Sequence, residues 1–148
     1  MLHIVRTSIF LSKLDAIVCP VNCIPGVMGA GLALNFAERW PWMRVEHRKA
    51  CRNGMKPGTV WLVDHEQSVL ESRSHHVILF PTKQHWKNPS ELRWIEAGLD
   101  DLHHKYPDMS FASPALGCGL GGLPFEDVAD VFRTFAQRHH AEIELTRP

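Results

Sequence analysis

Short β-branched and apolar runs alternate with longer stretches of helical spacing along the chain. Residues 2–6 read as a first strand. Residues 15–21 (Asp-Ala-Ile-Val-Cys-Pro-Val) read as a second, and their near-continuous apolar character suits a strand buried on both faces. Ala33, Phe36, Ala37 and Trp40 then follow helical spacing, and Pro41 ends that helix. Residues 43–52 form a second short helix, stopped at Asn53-Gly54. Residues 59–63 and 77–80 are further strands, the first introduced by Pro57-Gly58 and the second stopped by Pro81. Leu92, Ile95, Leu99 and Leu102 make the apolar stripe of a helix that starts near Pro89-Ser90. Residues 110–116 return to strand character. Val128, Val131, Phe132 and Phe135 mark the last long helix, and Ile143 sits in a final strand. Strands separated by helices imply a mostly parallel sheet covered on both faces. In such sheets, ligands sit beyond the carboxyl ends of the strands.

Composition narrows the class. The 148 residues contain 16 Lys and Arg against 16 Asp and Glu, so the net charge is zero. A chain of this length suits one domain, 1–148, and buries roughly 68–70% of its unfolded surface. Zero net charge argues against a sequence-independent coat on nucleic acid, which needs a strong basic field. It leaves room for an enzyme that touches nucleic acid locally. No apolar run approaches the ~20 residues of a membrane span, and no signal-peptide pattern opens the chain. The four Cys read as reduced thiols, which implies a cytoplasmic location.

Seven of the ten glycines fall in two loops. The first runs from Asn22 through Gly26, Val27, Met28, Gly29, Ala30 and Gly31, between the second strand and the first helix. The second is Gly117-Cys118-Gly119-Leu120-Gly121-Gly122, between the 110–116 strand and the last helix. Glycine lets backbone amides approach an anion closely. A helix N-terminus behind the loop adds unpaired N–H groups and a favourable dipole. Two such loops at one sheet edge are suited to gripping a diphosphate from both sides without Lys or Arg. The alternative is that they are tight turns. Neither is a Walker A loop, since no Gly-Lys-Ser/Thr follows, and neither has the G-x-G-x-x-G spacing.

The loops resemble those of macrodomains, the ADP-ribose-binding modules, and most closely the DarG-like branch of antitoxins that remove ADP-ribose from DNA. The residues that carry the resemblance are Asp15-Ala16-Ile17-Val18 with Asn22-Cys23, and the run from Gly26 to Phe36. Phe80-Pro81-Thr82-Lys83-Gln84-His85-Trp86, Ile95-Glu96-Ala97-Gly98-Leu99 and the run from Pro114 to Leu123 complete it. The resemblance implies a three-layer α/β/α fold with a mostly parallel mixed sheet. It implies that Gly29, Ala30 and Gly31, beside Val27 and Met28, line the phosphates and distal ribose. Residues 117–122 would do the same from the other side. Asn22 would lie near the distal ribose, Thr82 and His85 would contact substrate, and Lys83 would be the catalytic lysine. The implied reaction removes ADP-ribose from thymidine bases of single-stranded DNA. It needs no cofactor, and it reverses a DNA-modifying toxin that is the expected partner.

Some positions depart from the family pattern. Thr7-Ser8 stands where the family often has Gly-Asp, whose Asp binds the adenine amino group. Cys19 replaces the first Asn of an N-x-x-N pair. Glutamate-specific hydrolases of the family pair their lysine with an Asp in the second loop. That position corresponds to Gly121 here, which favours the DNA-acting branch. Antitoxins of this branch also carry a C-terminal domain associated with toxin neutralisation, whereas this sequence stops at Pro148.

An N-glycosidic bond breaks by stabilising an oxocarbenium-like centre or by opening the ribose ring. A neutral lysine amine can attack the anomeric carbon and form a transient imine. As an ammonium it can protonate the leaving group or stabilise developing charge. The sequence does not decide between them; the resemblance favours the covalent route. His85 either orients a phosphate or base or is a surface histidine. Trp86 either stacks on a flipped base or packs on the sheet. His75-His76, His103-His104 and His139-His140 are adjacent pairs that point apart, so no metal is expected. Two other functions stay open: a non-catalytic ADP-ribose reader, and a hydrolase of glutamate-linked ADP-ribose or of a phosphorylated ADP-ribose metabolite.

Overall fold

The structure is a computed structural model that describes residues 1–63 and 76–148; His75 lies outside the described residues. Six strands form one sheet in the order β1-β6-β5-β2-β4-β3. They are β1 (Leu2–Val5), β2 (Ala16–Val21), β3 (Trp61–Val63), β4 (His76–Pro81), β5 (Phe111–Ser113) and β6 (Ile143–Thr146). All described pairings are parallel except β3 with β4 at the edge. Among the described residues the α-helices are α1 (Gly31–Arg39), α2 (Met43–Arg52), α3 (Leu92–Lys105) and α4 (Phe125–His139). Among the described residues no helix is long and apolar enough to cross a membrane.

The continuous apolar run of β2 is buried on both faces, as expected of a central strand. Ala16 and Val18, with Ile78 and Phe80 of β4, pack against Ile95 and Leu99 of α3 and Val128 and Phe132 of α4. Ile17, Cys19 and Val21, with Val77 and Leu79, face the opposite core of Phe36, Trp40 and Met43. Two differences from the sequence reading are local. A 3-10 turn at Ile9–Leu11 was not foreseen; Ser8 caps it, accepting from the Phe10 amide at 3.2 Å. The 110–116 strand shrinks to three residues, because Pro114 brings no donor to continue the ladder.

That shortening opens the sheet. β2 pairs with β5 only through Ala16 and Ile17, although β2 continues to Val21. The Ala16 amide donates toward β5, to Ser110, so Val18 and Pro20 face the same side. Proline inside a central strand is normally excluded. Here its missing donor points into the gap where β5 has already left the ladder. Pro20 and Pro114 thus flank a crevice at the carboxyl ends of β2 and β5.

Helix α3 lies unusually close to the sheet. A Cβ at Gly98 would stand 2.3 Å from Cζ of Phe80. Gly98→Ala is expected to destabilise the fold by up to about 2 kcal/mol, an overpacking cost of about 1–3 kcal/mol partly offset by helix propensity of about 1 kcal/mol. A lower urea midpoint with an unchanged slope would show it; an unchanged midpoint would contradict the close packing.

Candidate active site

A cavity of about 510 Å³ occupies the crevice, within the usual range for small-molecule sites of roughly 300–1,000 Å³. Asn22, Val27, Met28, Gly29, Ala30 and Gly31 line it from the first loop, and Gly117, Gly119, Leu120 and Gly121 from the second. Thr82 and Lys83 close it from the loop after β4. The expected site residues His85, Cys118 and Gly122 do not line it. The His85 ring accepts from the Lys87 amide at 3.1 Å and lies beside Trp86. Cys118 packs against the core, where burial pushes its thiol pKa up. Gly122, at φ +80°, turns the chain out of the loop. Thr7 and Ser8 are also absent from the lining.

The first loop is built to leave amides unpaired. Gly31, at φ +58°, lets the chain swing into α1 in a conformation other residues rarely adopt. Ala30 is the N-cap and supplies no side-chain acceptor. Among the described residues the amides of Gly31, Leu32 and Ala33 therefore have no partner, and these residues line the cavity, a ready site for an anion. The Asn22 Oδ1 accepts from the Ile24 amide at 3.0 Å. That contact assigns the amide orientation, and the Asn22 Nδ2 group has no partner among the described residues.

The second loop closes on itself through its carbonyls. Gly122 donates to Gly119, Leu123 to Gly117, and Ser90 to Gly121. The amides of Gly119, Leu120 and Gly121 donate to nothing among the described residues, and all three residues line the same cavity as the first loop.

The glycines divide by physical role. A Cβ at Gly121 would meet Ser90 Oγ at 2.3 Å and the Gly117 carbonyl oxygen at 2.6 Å. No aspartate can stand there without rebuilding the loop. By contrast, a Cβ at Gly29 or Gly119 would touch nothing within 4 Å, and neither residue has a left-handed φ. Protein packing and backbone strain do not explain those two glycines; the space in front of them does.

Lys83 is half-buried between the two loops, and its Nζ donates to the Trp86 carbonyl at 3.3 Å. Trp86 is 51% exposed and Leu120 is 80% exposed. Both stand in the cavity lining, so the mouth has an apolar collar. Trp86 therefore does not pack on the sheet. The thiols are buried or half-buried: Cys19 sits in the core of β2 with its pKa well raised, and burial pushes Cys23 up to about 12. Among the described residues no group of three or more His, Cys, Asp or Glu is placed to hold a metal ion.

Sequence reasoning assigned nothing to Ser90 or to α2. Ser90 is almost fully buried under Gly117 and Gly121, and its Oγ has no hydrogen-bond partner among the described residues. Helix α2 reaches the first loop through Arg44, whose Nη2 donates to the Met28 carbonyl at 3.4 Å, and through His47 and Arg48. The 44, 47, 48, 51 spacing marks one helix face and was the available signal.

The model of the Macro domain family matches residues 18–132. A curated relative from Mycobacterium tuberculosis, named DNA ADP-ribosyl glycohydrolase, is 46% identical over 118 residues, covering 77% of this chain and 32% of the relative. One of the same name from Thermus aquaticus is 36% identical over 132 residues, 86% of this chain and 36% of the relative. The chain thus spans about a third of the length of these relatives. Among solved structures, the macrodomain of Mycobacterium tuberculosis DarG superposes with a TM-score of 0.87 at 37% identity, covering 100% of this chain and 98% of that one. Thermosipho africanus DarTG in complex with ADP-ribose also gives 0.87, at 33% identity, over 99% of this chain and 41% of that one. With a family model spanning most of its length and a matching sheet, the chain belongs to the macro domain family.

Proposed function

We propose that this macrodomain hydrolyses the bond between ADP-ribose and a thymidine base in single-stranded DNA, and so reverses the work of a DNA-modifying toxin. The observation that carries the proposal is that Lys83 lines one cavity together with two glycine loops whose amides are unpaired among the described residues. The amides hold the diphosphate, and the lysine stands where the distal ribose would emerge from them.

The residues then divide the work. The neutral lysine nitrogen attacks the anomeric carbon as the bond to the base nitrogen breaks; the base takes a proton from solvent and the amine gives one up, leaving a glycosylamine. The bond from the anomeric carbon to the ring oxygen then breaks, with a proton passing from nitrogen to that oxygen, and the open-chain imine forms. Water adds to the imine carbon and expels the lysine as a free amine, and the aldehyde closes again to ADP-ribose. The alternative role keeps Lys83 as an ammonium that protonates the departing base while water attacks. Trp86 offers a π-face at the mouth for a base lifted out of its stack. The absence of room for an acid at position 121 supports a DNA adduct over a glutamate ester. The names of the mycobacterial and Thermus relatives support the same substrate. The relative from Thermosipho africanus, named as a fusion of a DNA ADP-ribosyl transferase with a DNA ADP-ribosyl glycohydrolase, supports a toxin partner. Free thiols suit a reducing cytoplasm.

The test is release of ADP-ribose from a modified single-stranded oligonucleotide. Catalytic amounts of protein are expected to clear the modification, with little release from ADP-ribosylated glutamate. Retention of the modification at equal enzyme and substrate concentrations would defeat the proposal, and tight ADP-ribose binding without release would identify a reader.

A further inference from the structure

His47 lies on α2, outside the cavity lining, yet it is fully buried beneath the first loop. Its Nδ1 accepts a hydrogen bond from the Gly26 amide at 3.1 Å. Its Nε2 lies 2.8 Å from the Asn22 carbonyl oxygen. A backbone amide can only donate and a carbonyl can only accept. The ring is therefore neutral and carries its proton on Nε2. The Cys51 sulfur, one turn further along α2, lies 3.5 Å from the same nitrogen. One imidazole thus ties together both ends of the turn from Asn22 to Gly26. That turn places Asn22 at the cavity and delivers the chain to Val27 and the phosphate-facing glycines.

Resting on the proposed ADP-ribosyl reaction, we infer that His47 is a positioning residue for it, holding the first ligand loop in register in its neutral form and releasing it when protonated. The imidazolium would present an N–H to the Gly26 N–H, so one buried donor must lose its acceptor. Among the described residues no other group near the ring restores the balance. The titratable neighbours are the Cys23 and Cys51 thiols, whose pKa values burial raises, so both are uncharged. The charged groups meeting the same loop are cationic. Arg44 holds the Met28 carbonyl, and the Arg48 guanidinium lies 3.1 Å from where a Gly26 Cβ would stand. Burial lowers the His47 pKa from 6.5, against a smaller opposing effect of the Asn22 carbonyl.

The sign follows from linkage. The unfolded imidazole takes its proton near pH 6.5, and the folded one only at lower pH. The unfolded state binds more protons across that interval, so stability is full above about pH 6.5 and falls as the pH drops through it. The first loop, held by this ring, is where the loss should begin.

Three variants separate the two bonds. His47→Leu removes both. His47→Asn keeps an acceptor near the Nδ1 position, and His47→Gln keeps a donor near the Nε2 position. ADP-ribose affinity measured by calorimetry from pH 4.5 to 8 is expected to show an acid limb in the wild type. His47→Leu should bind at least about tenfold more weakly at neutral pH, with that limb gone. His47→Asn and His47→Gln should be intermediate and also lack the limb. The Gly26 amide should exchange with solvent faster in His47→Leu and His47→Gln than in His47→Asn. Wild-type affinity and wild-type Gly26 exchange in His47→Leu would overturn the inference. If that variant fails to fold, equal Gly26 exchange in the other two does so. Should even the wild type fail to bind ADP-ribose, the reading of the cavity falls, while Gly26 exchange still decides the brace.

Discussion

Lys83→Ala is expected to slow release of ADP-ribose from modified DNA by at least about a thousandfold while changing ADP-ribose affinity by only about threefold. General acid–base contributions alone run to about 10²–10⁴, and loss of a covalent nucleophile adds to that. Affinity survives because the proposed binding mode holds the diphosphate through backbone amides of the two loops, none of which depends on the lysine. Among the described residues the Nζ makes one hydrogen bond, to the carbonyl of Trp86, so its removal should leave the loops intact. Lys83→Arg separates the two chemical roles. Arginine stays charged and cannot act as an amine nucleophile. An inactive arginine variant, with borohydride trapping a protein adduct in the wild type, assigns the imine route. Substantial activity in Lys83→Arg assigns charge stabilisation instead. Full activity in Lys83→Ala would remove the residue from the reaction.

Gly29→Glu and Gly119→Glu should each weaken ADP-ribose by about a hundredfold or more. Like charges forced together in an interface cost several kcal/mol, and each 1.4 kcal/mol is about tenfold. The fold should tolerate both changes, because an added Cβ at either position meets no atom within 4 Å. Urea midpoints near that of the wild type would confirm that only the ligand space was filled. Gly121→Ala should behave in the opposite way, disturbing the second loop itself, because its Cβ falls on the Gly117 carbonyl. Unchanged ADP-ribose affinity in both glutamate variants would mean that the loops are turns and nothing more.

Much of the site was legible because its signals are local. A glycine at the end of a strand and before a helix reports a backbone requirement within a few residues of itself. The segment Phe80-Pro81-Thr82-Lys83 is contiguous, so the resemblance to macrodomains could carry Lys83 into the expected site, and the structure sets it in the lining with both loops. Ser90 and His47 were not legible in this way. Ser90 matters because it lies under Gly117 and Gly121, and His47 because it reaches back more than 20 residues to Asn22 and Gly26. Helical spacing groups His47 with Arg44, Arg48 and Cys51 on one face, but which loop that face meets, like the loop that covers Ser90, depends on how an element crosses a loop. Inclusion of His85, Cys118 and Gly122 in the site followed from their neighbours in the chain. The turn at Gly122 and the inward packing of Cys118 carry them out of the cavity.

Periodicity along the chain was sufficient for the element types, because burial of one face or both is written into each segment as spacing 2, spacing 3.6 or a continuous apolar run. The glycine content was likewise sufficient to mark two loops with backbone freedom. Whether a given glycine serves the protein or a ligand could not be read there. Gly29 and Gly121 are the same residue in similar loops, and only the atoms opposite them differ: open space before one, Ser90 and the Gly117 carbonyl before the other. The crevice has the same origin. Pro20 and Pro114 each withhold a single donor, but they open the sheet only because the fold sets the ends of β2 and β5 side by side.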